Sequence, residues 1–504
     1  MHSILNLWQE TERLNATKLA VIDDNNRLTY KELGTRIRAI SNSLIEKWKV
    51  RRGEVVALMV PNCVDFVISY FAIVNAGAVV QPIDERLMPN EIEFILQDSG
   101  TRRLIVHGRL WPKFKKVEAD LPSIEKVLGV ELSENGYERF EDWLVSPPMG
   151  KDRWLDLTPD DKAELMYTSG TTGKAKGVVR THRNVLAATR NASRGFGYRD
   201  NDIICIMMPL SHSSALVSQM MPFIQYGRKI VIMKGFDLEE LLETIPQEGV
   251  TCMRAVPDMI RIMLSSSKFC SDELPSLRLL LNSSAAIDPE LFVAVKERFR
   301  DIELVNSYGL TEASTSTVLS DYMALIRPDA IGVPIEGVEM SIRTPEGGVI
   351  EDESEGEICI RGDHVFWEYH NKPVESQAVL EGDWLHTGDL GHRDAMGLFY
   401  FHGRMNDVIN CGGYKFSPLE VENCILKLPE IAEAAVVGVP YRMMGSVVKA
   451  FIVLQEDAQL DPKVITRHCT KNLSSYKVPL FIEFVNNLPK NSTGKILRRK
   501  LVSE

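Results

Sequence analysis

The sequence predicts an α/β fold with a large N-terminal domain of layered, mostly parallel sheets and a small α+β C-terminal domain. The chain has 504 residues, more than the roughly 250–300 residues of one hydrophobic core, so at least two domains are expected. Between residues 161 and 312 short apolar runs alternate with helical patterns, which is typical of parallel sheets covered by helices. After about residue 330 short strands alternate with Gly and acidic turns, which predicts a β-rich subdomain.

The first part of the chain is predicted to form one α/β layer. A strand at 20–22 precedes a helix at 27–48, and 55–59 is extended. The apolar stretch 66–80 is interrupted by Asn75 and is shorter than the roughly 18 residues of a membrane span. We therefore expect a buried helix followed by a strand there, and no membrane span.

A second layer is predicted between residues 161 and 312. Its strands are expected at 163–167, 203–208, 229–233, 251–256, 277–281 and 303–305. Its helices include 237–245, with an acidic first turn, and 288–299, where Asp288 is an N-cap and Pro289 the first helical residue.

The last hundred or so residues are predicted to form the small α+β unit. Its helices are expected at 418–428 and 462–473, and its strands at 434–439, 449–454 and 480–485.

Composition and charge exclude several functional classes. With 44% apolar and 25% charged residues the chain is a typical globular protein. The net charge is −11 and basic residues are interspersed with acidic ones, so nucleic acid is not an expected partner. The N-terminus lacks a signal-peptide pattern, and the eight cysteines form no Cys-x-x-Cys pair. We therefore expect a reduced, cytoplasmic protein without a disulfide framework or a structural zinc site.

The segment 167–177 has the composition of an anion-binding loop. It contains three glycines, four aliphatic hydroxyl side chains and two lysines. Glycines let backbone N–H groups approach phosphate oxygens, hydroxyls add donors, and lysine adds charge. It is not a Walker loop, because Ala175 follows Lys174 and no glycine stands five positions before Gly173. On composition alone a surface hairpin stays open as an alternative.

This loop resembles the signature of the acyl-adenylate-forming superfamily, which includes acyl-CoA synthetases, aryl-CoA ligases, firefly luciferase and the adenylation domains of peptide synthetases. Further segments resemble the other family motifs in the same order: 306–312 (Asn-Ser-Tyr-Gly-Leu-Thr-Glu), 384–389 (Trp-Leu-His-Thr-Gly-Asp), 403–407 (Gly-Arg-Met-Asn-Asp) with 411–413 (Cys-Gly-Gly), and 489–496 (Pro-Lys-Asn-Ser-Thr-Gly-Lys-Ile). The resemblance covers essentially the whole chain.

The resemblance implies a set of ATP-binding residues. The residues expected to grip the β- and γ-phosphates are Thr168, Ser169, Gly170, Thr171, Thr172, Gly173, Lys174 and Lys176. Glu312 would hold Mg²⁺, Thr311 would donate to the α-phosphate, and Tyr308 would flank the adenine. Asp389 would accept from the ribose hydroxyls, with Arg404 on the same sugar.

Lys495, by the same resemblance, would bridge the carboxylate of the acid and the α-phosphate. Taken without the motifs, these residues have simpler explanations. Glu312 fits the first turn of a helix, Asp389 fits a turn, and Lys495 fits a solvated basic tail.

The resemblance also implies a domain organisation: a large domain at 1–403, a hinge at 404–406 and a small mobile domain at 407–504. The hinge residue would be Asn406, where relatives commonly carry Asp or Lys, so a charge-dependent latch is in doubt. Gly412 and Gly413 would line the channel for the pantetheine arm of coenzyme A. The small domain would swing between the two half-reactions.

The acid pocket is expected near His212, where amino-acid-activating relatives typically carry an aspartate, so an α-amino acid is disfavoured. In acyl-CoA synthetases a histidine is usual there and helps wall the pocket; we count His212 among the catalytic residues. The expected pocket floor consists of Ser283, Ser284, Val305, Asn306 and Ser307. Many relatives have glycine in these stretches, so the added volume favours a short or medium aliphatic acid or a compact aromatic one.

Taken together, the resemblance implies a carboxylic acid:CoA ligase that uses ATP, Mg²⁺ and coenzyme A and forms an acyl-AMP intermediate. The expected partners are a small-molecule acid and coenzyme A. Alternatives that stay open are loading of a separate carrier protein, a non-catalytic nucleotide-binding regulator and, more remotely, a luciferase-like oxygenase. A homodimer also stays open.

Overall fold

The structure is a computed structural model that describes residues 2–145, 156–168, 175–282, 287, 289–299, 301–411, 414–441, 445–490 and 496–502. Contacts within the chain divide it into two compact units. Unit 1 is Met1–Glu339 with Ile360–Leu385, and unit 2 is Met340–Cys359 with His386–Glu504. The functional division with a hinge at 404–406 stays a prediction. Across these described ranges, no helix combines the length and apolarity needed to cross a bilayer.

The described residues form strands and helices that we number in chain order. Strands β1 to β28 are Leu19–Ile22, Arg27–Thr29, Val55–Met59, Val79–Pro82, Arg103–His107, Lys126–Val130, Glu138–Arg139, Lys162–Thr168, Lys176–Thr181, Ile203–Ile206, Lys229–Ile232, Cys252–Ala255, Leu279–Asn282, Glu303–Leu310, Ser314–Leu319, Ala330–Pro334, Glu339–Arg343, Val349–Ile350, Gly356–Arg361, Glu368–Tyr369, Leu380–Glu381, Trp384–Arg393, Phe399–Arg404, Ile409–Cys411, Tyr414–Phe416, Ile431–Tyr441, Gly445–Leu454 and Phe481–Phe484. Helices α1 to α17 are Ile4–Asn15, Tyr30–Glu46, Val64–Asn75, Pro89–Ser99, Trp111–Lys115, Phe140–Leu144, His182–Gly195, Ser213–Ala215, Met221–Gln225, Leu238–Glu248, Pro257–Ser265, Pro289–Arg298, Asp321–Ile326, Pro373–Val379, Pro418–Ile425, Pro462–Asn472 and Arg498–Val502.

The larger sheet of unit 1 has the strand order β16-β15-β14-β13-β12-β10-β11-β1-β2. Strands β14, β13, β12, β10, β11 and β1 are parallel to one another, whereas the pairs β1–β2, β14–β15 and β15–β16 are antiparallel. All four residues of β13 are buried, as expected for a strand covered on both faces. The predicted α/β class and the mostly parallel sheet are confirmed. Strand β14 is longer than the predicted 303–305 because its second half pairs with β15.

The second sheet of unit 1 has the order β20-β9-β8-β4-β3-β5-β6-β7. Strands β3 to β8 are parallel to their neighbours, whereas β8 and β9 form an antiparallel hairpin. Helix α3 is buried along nearly its whole length, and β4 follows it. The expectation of a buried helix followed by a strand within 66–80 is therefore confirmed.

The start of the predicted helix 27–48 is wrong. Residues Arg27–Thr29 form β2, and α2 begins only at Tyr30. Thr29 is the reason, because its side chain accepts from the Glu32 N–H while the Glu32 carboxylate accepts from the Thr29 N–H. This reciprocal pair satisfies two free donors at the helix start and fixes where the helix begins.

Helix α1 has no counterpart among the elements that the sequence pattern predicts. The Ser3 side chain caps it by accepting from the Asn6 N–H, and Ile4 and Trp8 are buried on its inner face. Its Ile4 N–H donates to Nδ1 of buried His182 at 3.2 Å. The helix is therefore anchored to the first residue of α7.

Unit 2 contains β-rich and α+β parts. Strands β22 and β23 are antiparallel, with Asp389 opposite Arg404. The C-terminal sheet has the order β25-β24-β27-β26, with β28 beside β27. Helices α15 and α16 contribute buried Val421, Ile425 and Ile465 to the core of this sheet. This sheet with its two packed helices matches the predicted small α+β unit.

Candidate active site

The predicted phosphate loop joins β8 to β9, whose pairing ends at Thr168 opposite Lys176. The predicted loop residues Ser169, Gly170, Thr171, Thr172, Gly173 and Lys174 lie outside the described residues. On the stem, the Tyr167 hydroxyl donates to Asp98 at 2.7 Å. Burial, and then the Asp98 hydrogen bond, raises the pKa of Tyr167 well above its ordinary value, so it stays a neutral donor. This hydrogen bond therefore anchors the described stem of the hairpin near its last strand residues.

A fully buried ion pair lies on this hairpin. Glu164 of β8 and Arg180 of β9 are both 0% exposed, and their charged atoms are 2.5 Å apart. The Tyr70 hydroxyl donates to Glu164 at 2.6 Å. Such pairs are seldom a net gain in stability, but removing one partner leaves an uncompensated charge.

Arg180 connects the hairpin to two other segments of the site. Its Nη1 donates to Ser213 Oγ at 2.8 Å and to Ser314 Oγ at 2.9 Å. Ser213 directly follows His212, and Ser314 comes two residues after Glu312. One buried guanidinium thus holds together the phosphate hairpin, the pocket histidine segment and the proposed metal segment. The sequence analysis missed Arg180, since no local pattern marks it.

Thr311 and Glu312 lie in the turn that joins β14 to β15. The Tyr369 hydroxyl donates to Glu312 Oε1 at 2.9 Å, and the Phe366 N–H donates to the Glu312 carbonyl at 2.7 Å. Glu312 therefore does not begin a helix, and its carboxylate is oriented by a neutral donor. The sequence analysis missed Tyr369, which lies 57 residues away along the chain.

The described residues of the predicted pocket floor lie in the middle of β14, where its parallel pairing with the carboxyl end of β13 stops. Val305 and Asn306 are buried, and the Asn282 side chain donates to Asn306 Oδ1 at 3.0 Å. Ser307 donates to the Asn282 carbonyl at 3.2 Å, and half-buried Tyr308 follows on the same strand. Ser283 and Ser284 lie outside the described residues. The carboxyl edge of an open parallel sheet is the usual place for a ligand.

His212 has an acidic partner that the sequence analysis missed. Its Nε2 lies 2.7 Å from Asp84 Oδ2, and the Asp84 side chain is only 8% exposed. Asp84 also accepts from the Arg86 N–H at 2.9 Å. Asp84 follows the parallel strand β4 by two residues, and the carboxyl end of a parallel strand is the signal that could have identified it.

In unit 2, Asp389 and Arg404 form the predicted pair. Arg404 Nε lies 2.7 Å from Asp389 Oδ1, and Arg404 also donates to the Thr387 carbonyl at 3.1 Å. Glu357 supports this part of β22 by accepting from the Gly388 N–H at 2.8 Å and contacting His386 Nδ1 at 2.7 Å. The pair is therefore held by its neighbours, while its role at a ribose stays a prediction.

The remaining predicted residues concern the hinge, the thiol channel and the C-terminal lysine. Asn406 lies in a 3-10 turn, Met405–Asp407, that follows β23. Gly412, Gly413 and Lys495 lie outside the described residues. Their predicted roles stay predictions.

Two family models match the chain. The model described as "AMP-binding enzyme" matches residues 8–370, and the model described as "AMP-binding enzyme C-terminal domain" matches residues 420–495. Among curated proteins, a crotonobetaine/carnitine–CoA ligase of Escherichia coli O7:K1 is 30% identical over 511 residues, covering 98% of this chain and 98% of the relative.

Solved structures include similar ligases with bound reactants. The anthranilate CoA ligase AuaEII in complex with anthranoyl-AMP has a TM-score of 0.89 and 29% identity, covering 100% of this chain and 97% of that one. The o-succinylbenzoate coenzyme A synthetase MenE from Bacillus subtilis, in complex with ATP and magnesium ion, has a TM-score of 0.87 and 27% identity, covering 99% of both chains.

Proposed function

We propose this function from a premise that the two family matches establish: the chain belongs to the AMP-binding enzymes. It is an AMP-forming ligase that joins a carboxylic acid to coenzyme A through an acyl-adenylate, using ATP and Mg²⁺. The observation that carries this conclusion is the full-length similarity to a CoA ligase. The placement of Lys176 and Glu312 against one tyrosine supports it from the geometry.

Each half-reaction exchanges one bond for another. In the first, a carboxylate oxygen of the acid attacks the α-phosphorus of ATP, and the bond from that phosphorus to the bridging oxygen breaks, so pyrophosphate leaves. In the second, the sulfur of coenzyme A loses its proton and attacks the acyl carbon, and AMP leaves. The first step brings two anions together, so the site must supply positive charge and hydrogen-bond donors.

We assign the phosphate contacts to the hairpin 168–176 and to Thr311. In this assignment Lys176 and the hairpin backbone bind the β- and γ-phosphates, and the Thr311 hydroxyl donates to the α-phosphate. The antiparallel stem and the buried Arg180 support the assignment because they hold these segments together before a ligand binds.

Glu312 fits the magnesium site. Among the described residues its carboxylate accepts a hydrogen bond from Tyr369 and forms no ion pair. A carboxylate with a free oxygen is the type of ligand that Mg²⁺ prefers. Magnesium, when bound, would offset the charge of the phosphate oxygens.

We assign the adenine to Tyr308 and the ribose to the Asp389–Arg404 pair, as the family motifs imply. The Asp389 side chain is 1% exposed, and its carboxylate pairs with Arg404. Lys495 then bridges the acid and the α-phosphate, as the family motif implies.

For the acid we propose a small substrate bound where the carboxyl end of β13 meets the middle of β14, with His212 on one wall. Val305 is 8% exposed and packs in the main hydrophobic core, so little depth is left behind it for a long alkyl chain. The curated relative is named for crotonobetaine or carnitine and the solved one for anthranilate, and all three are small acids.

Asp84 weakens the sequence argument against an α-amino acid as the substrate. That argument relied on histidine standing where relatives have an aspartate. The structure supplies a carboxylate beside this position from the segment that follows β4 of the other sheet, 2.7 Å from the His212 ring. Betaines and amino acids therefore belong among the acids to be tested.

The test is pyrophosphate release from Mg·ATP with a panel of acids, each with and without coenzyme A. The panel contains short and long alkanoates, benzoate and anthranilate, an α-amino acid, and betaines such as carnitine. We expect pyrophosphate with a small acid alone and the matching acyl-CoA only when coenzyme A is added. Hydrolysis of ATP without any acid dependence would contradict the proposal.

The same experiment tests which molecule accepts the acyl group. A separate carrier protein is the alternative if the acyl-adenylate forms but coenzyme A is not acylated. We place the protein in the cytoplasm, where ATP, coenzyme A and small organic acids are available together. Whether it works as a homodimer follows from its mass in solution.

A further inference from the structure

Tyr369 is held in place by contacts on three sides. It ends β20, where it pairs with Val178 of β9. Its N–H donates to Ser376 Oγ of α14 at 2.9 Å, and its ring lies 4.8 Å from the Phe366 ring. The residue is only 7% exposed. A side chain fixed by backbone, helix and aromatic contacts has little freedom to move.

This fixed side chain contacts two groups that the proposed function places on ATP. Its hydroxyl donates to Glu312 Oε1 at 2.9 Å. The Nζ atom of Lys176 lies 4.9 Å from the centroid of its ring. Lys176 ends the phosphate loop and Glu312 lies in the β14–β15 turn, so one residue connects segments that are far apart in sequence.

We propose that Tyr369 is a positioning residue that couples the phosphate-binding lysine to the metal-binding carboxylate; this inference rests on the proposed function. The hydroxyl occupies one carboxylate oxygen of Glu312, which selects the rotamer and leaves the other oxygen for a cation. The face of the ring attracts the ammonium of Lys176 and holds it on the same side. Magnesium and nucleotide phosphates therefore find their ligands already oriented, and binding of one supports binding of the other.

The test measures this coupling by binding and needs no turnover. Calorimetry gives the Kd of α,β-methylene-ATP with excess Mg²⁺ and again in EDTA, and the ratio of the two values is the coupling. We expect Tyr369→Phe to reduce this ratio about tenfold, the effect of one hydrogen bond to a charged group. The Kd in EDTA should stay unchanged, because the phenylalanine ring still faces Lys176. A purely structural role would weaken both values equally.

The chain contains a matched control outside the site. The Tyr137 hydroxyl donates to Glu118, and Lys115 Nζ lies 5.6 Å from the Tyr137 ring centroid. Tyr137→Phe therefore removes a tyrosine hydroxyl from a trio of the same residue types, in which Lys115 also pairs directly with Glu118. The ratio should match that of the unchanged protein, because this trio lies outside the site.

The variant Glu312→Gln distinguishes a wrong role for Tyr369 from a wrong assignment of the metal ligand. If it abolishes the ratio and Tyr369→Phe leaves it intact, the role of Tyr369 is wrong and the metal assignment stands. If Glu312→Gln also leaves the ratio intact, the metal assignment within the proposed function is wrong. An equal loss for Tyr369→Phe and Tyr137→Phe overturns the inference as well.

Discussion

Replacing Glu312 by Gln keeps the shape of the side chain and removes its charge, which isolates the proposed metal ligand. Without that charge the phosphate repulsion is less well compensated, and we expect a loss of about 2–4 kcal/mol in transition-state stabilisation. The measurement is kcat/KM for acid-dependent pyrophosphate release. Glu118→Gln, which also removes a carboxylate that accepts from a tyrosine, is the control. Near-normal adenylation by Glu312→Gln would contradict the metal assignment.

A substitution at Val305 tests whether this residue forms part of the floor of the acid pocket. Val305→Gly removes a buried side chain, and the extra space should raise the activity on wider or longer acids about tenfold relative to the native substrate. The readout is the order of preference across the acid panel, with the unfolding temperature as a check that the variant is folded. If the order is unchanged, Val305 does not bound the acid pocket.

At the scale of elements, the β8–β9 hairpin depends on the buried Glu164–Arg180 pair. Arg180→Met leaves the Glu164 charge buried without an opposite charge, and we expect the free energy of unfolding to fall by about 3–5 kcal/mol. The measurement is urea unfolding. The double variant Arg180→Met with Glu164→Gln should recover part of the loss, because glutamine still accepts from Tyr70.

The Lys162–Glu368 ion pair is exposed and serves as a comparison for the buried Glu164–Arg180 pair. Both pairs involve β8, since Lys162 begins that strand. Lys162→Met should cost less than about 1 kcal/mol. Equal stability of the single and double Arg180 variants would show that the buried charges are not coupled.

The anchoring of α1 on α7 should depend on pH. Burial lowers the pKa of His182 to about 4, although nearby Asp161 raises it, whereas an unfolded histidine has a pKa of roughly 6.5. The folded protein thus binds this proton more weakly, so the stability is fully present above about pH 6.5 and is lost as the pH falls toward 4. Between pH 7 and pH 5 the loss from this residue is about 2 kcal/mol.

The measurement is urea unfolding at both pH values, for the unchanged protein and for His182→Gln. Glutamine offers an acceptor to the Ile4 N–H but has no proton to gain, so the variant should lose about 2 kcal/mol less between the two pH values. Buried His364, whose pKa burial also lowers to about 4, is present in both proteins and cancels in the difference. The same pH dependence in both proteins would contradict the assignment to His182.

At the scale of the whole molecule, the prediction is that two half-reactions fail separately. Lys495→Ala removes the charge expected between the acid and the α-phosphate, so adenylation should collapse while a supplied acyl-adenylate is still converted to the thioester. Gly413→Trp should do the reverse, because an indole would fill the expected thiol channel. Both half-reactions are measured on both variants. Equal impairment of the two steps would exclude alternation of the small domain about Asn406.

Much of the architecture could be predicted because its signals are local. Buried parallel strands appear as continuous apolar runs, so β3, β8 and β12 were expected close to where they lie. Element ends were less certain, since Thr29 and Glu32 decide the start of α2 by a pair of side-chain hydrogen bonds. Motif order along the chain was sufficient to indicate an adenylate-forming ligase.

The sequence by itself determined the α/β class, the order of the family motifs and the identity of most candidate ligands. Only the tertiary structure decided that Asp84 lies against His212, that Arg180 connects three segments of the site and that Tyr369 contacts both Lys176 and Glu312. The physical reason is that periodicity and motif spacing report interactions between residues close in the chain. These contacts join residues tens to more than a hundred positions apart, and they exist only once the two sheets of unit 1 have packed and brought their loops together.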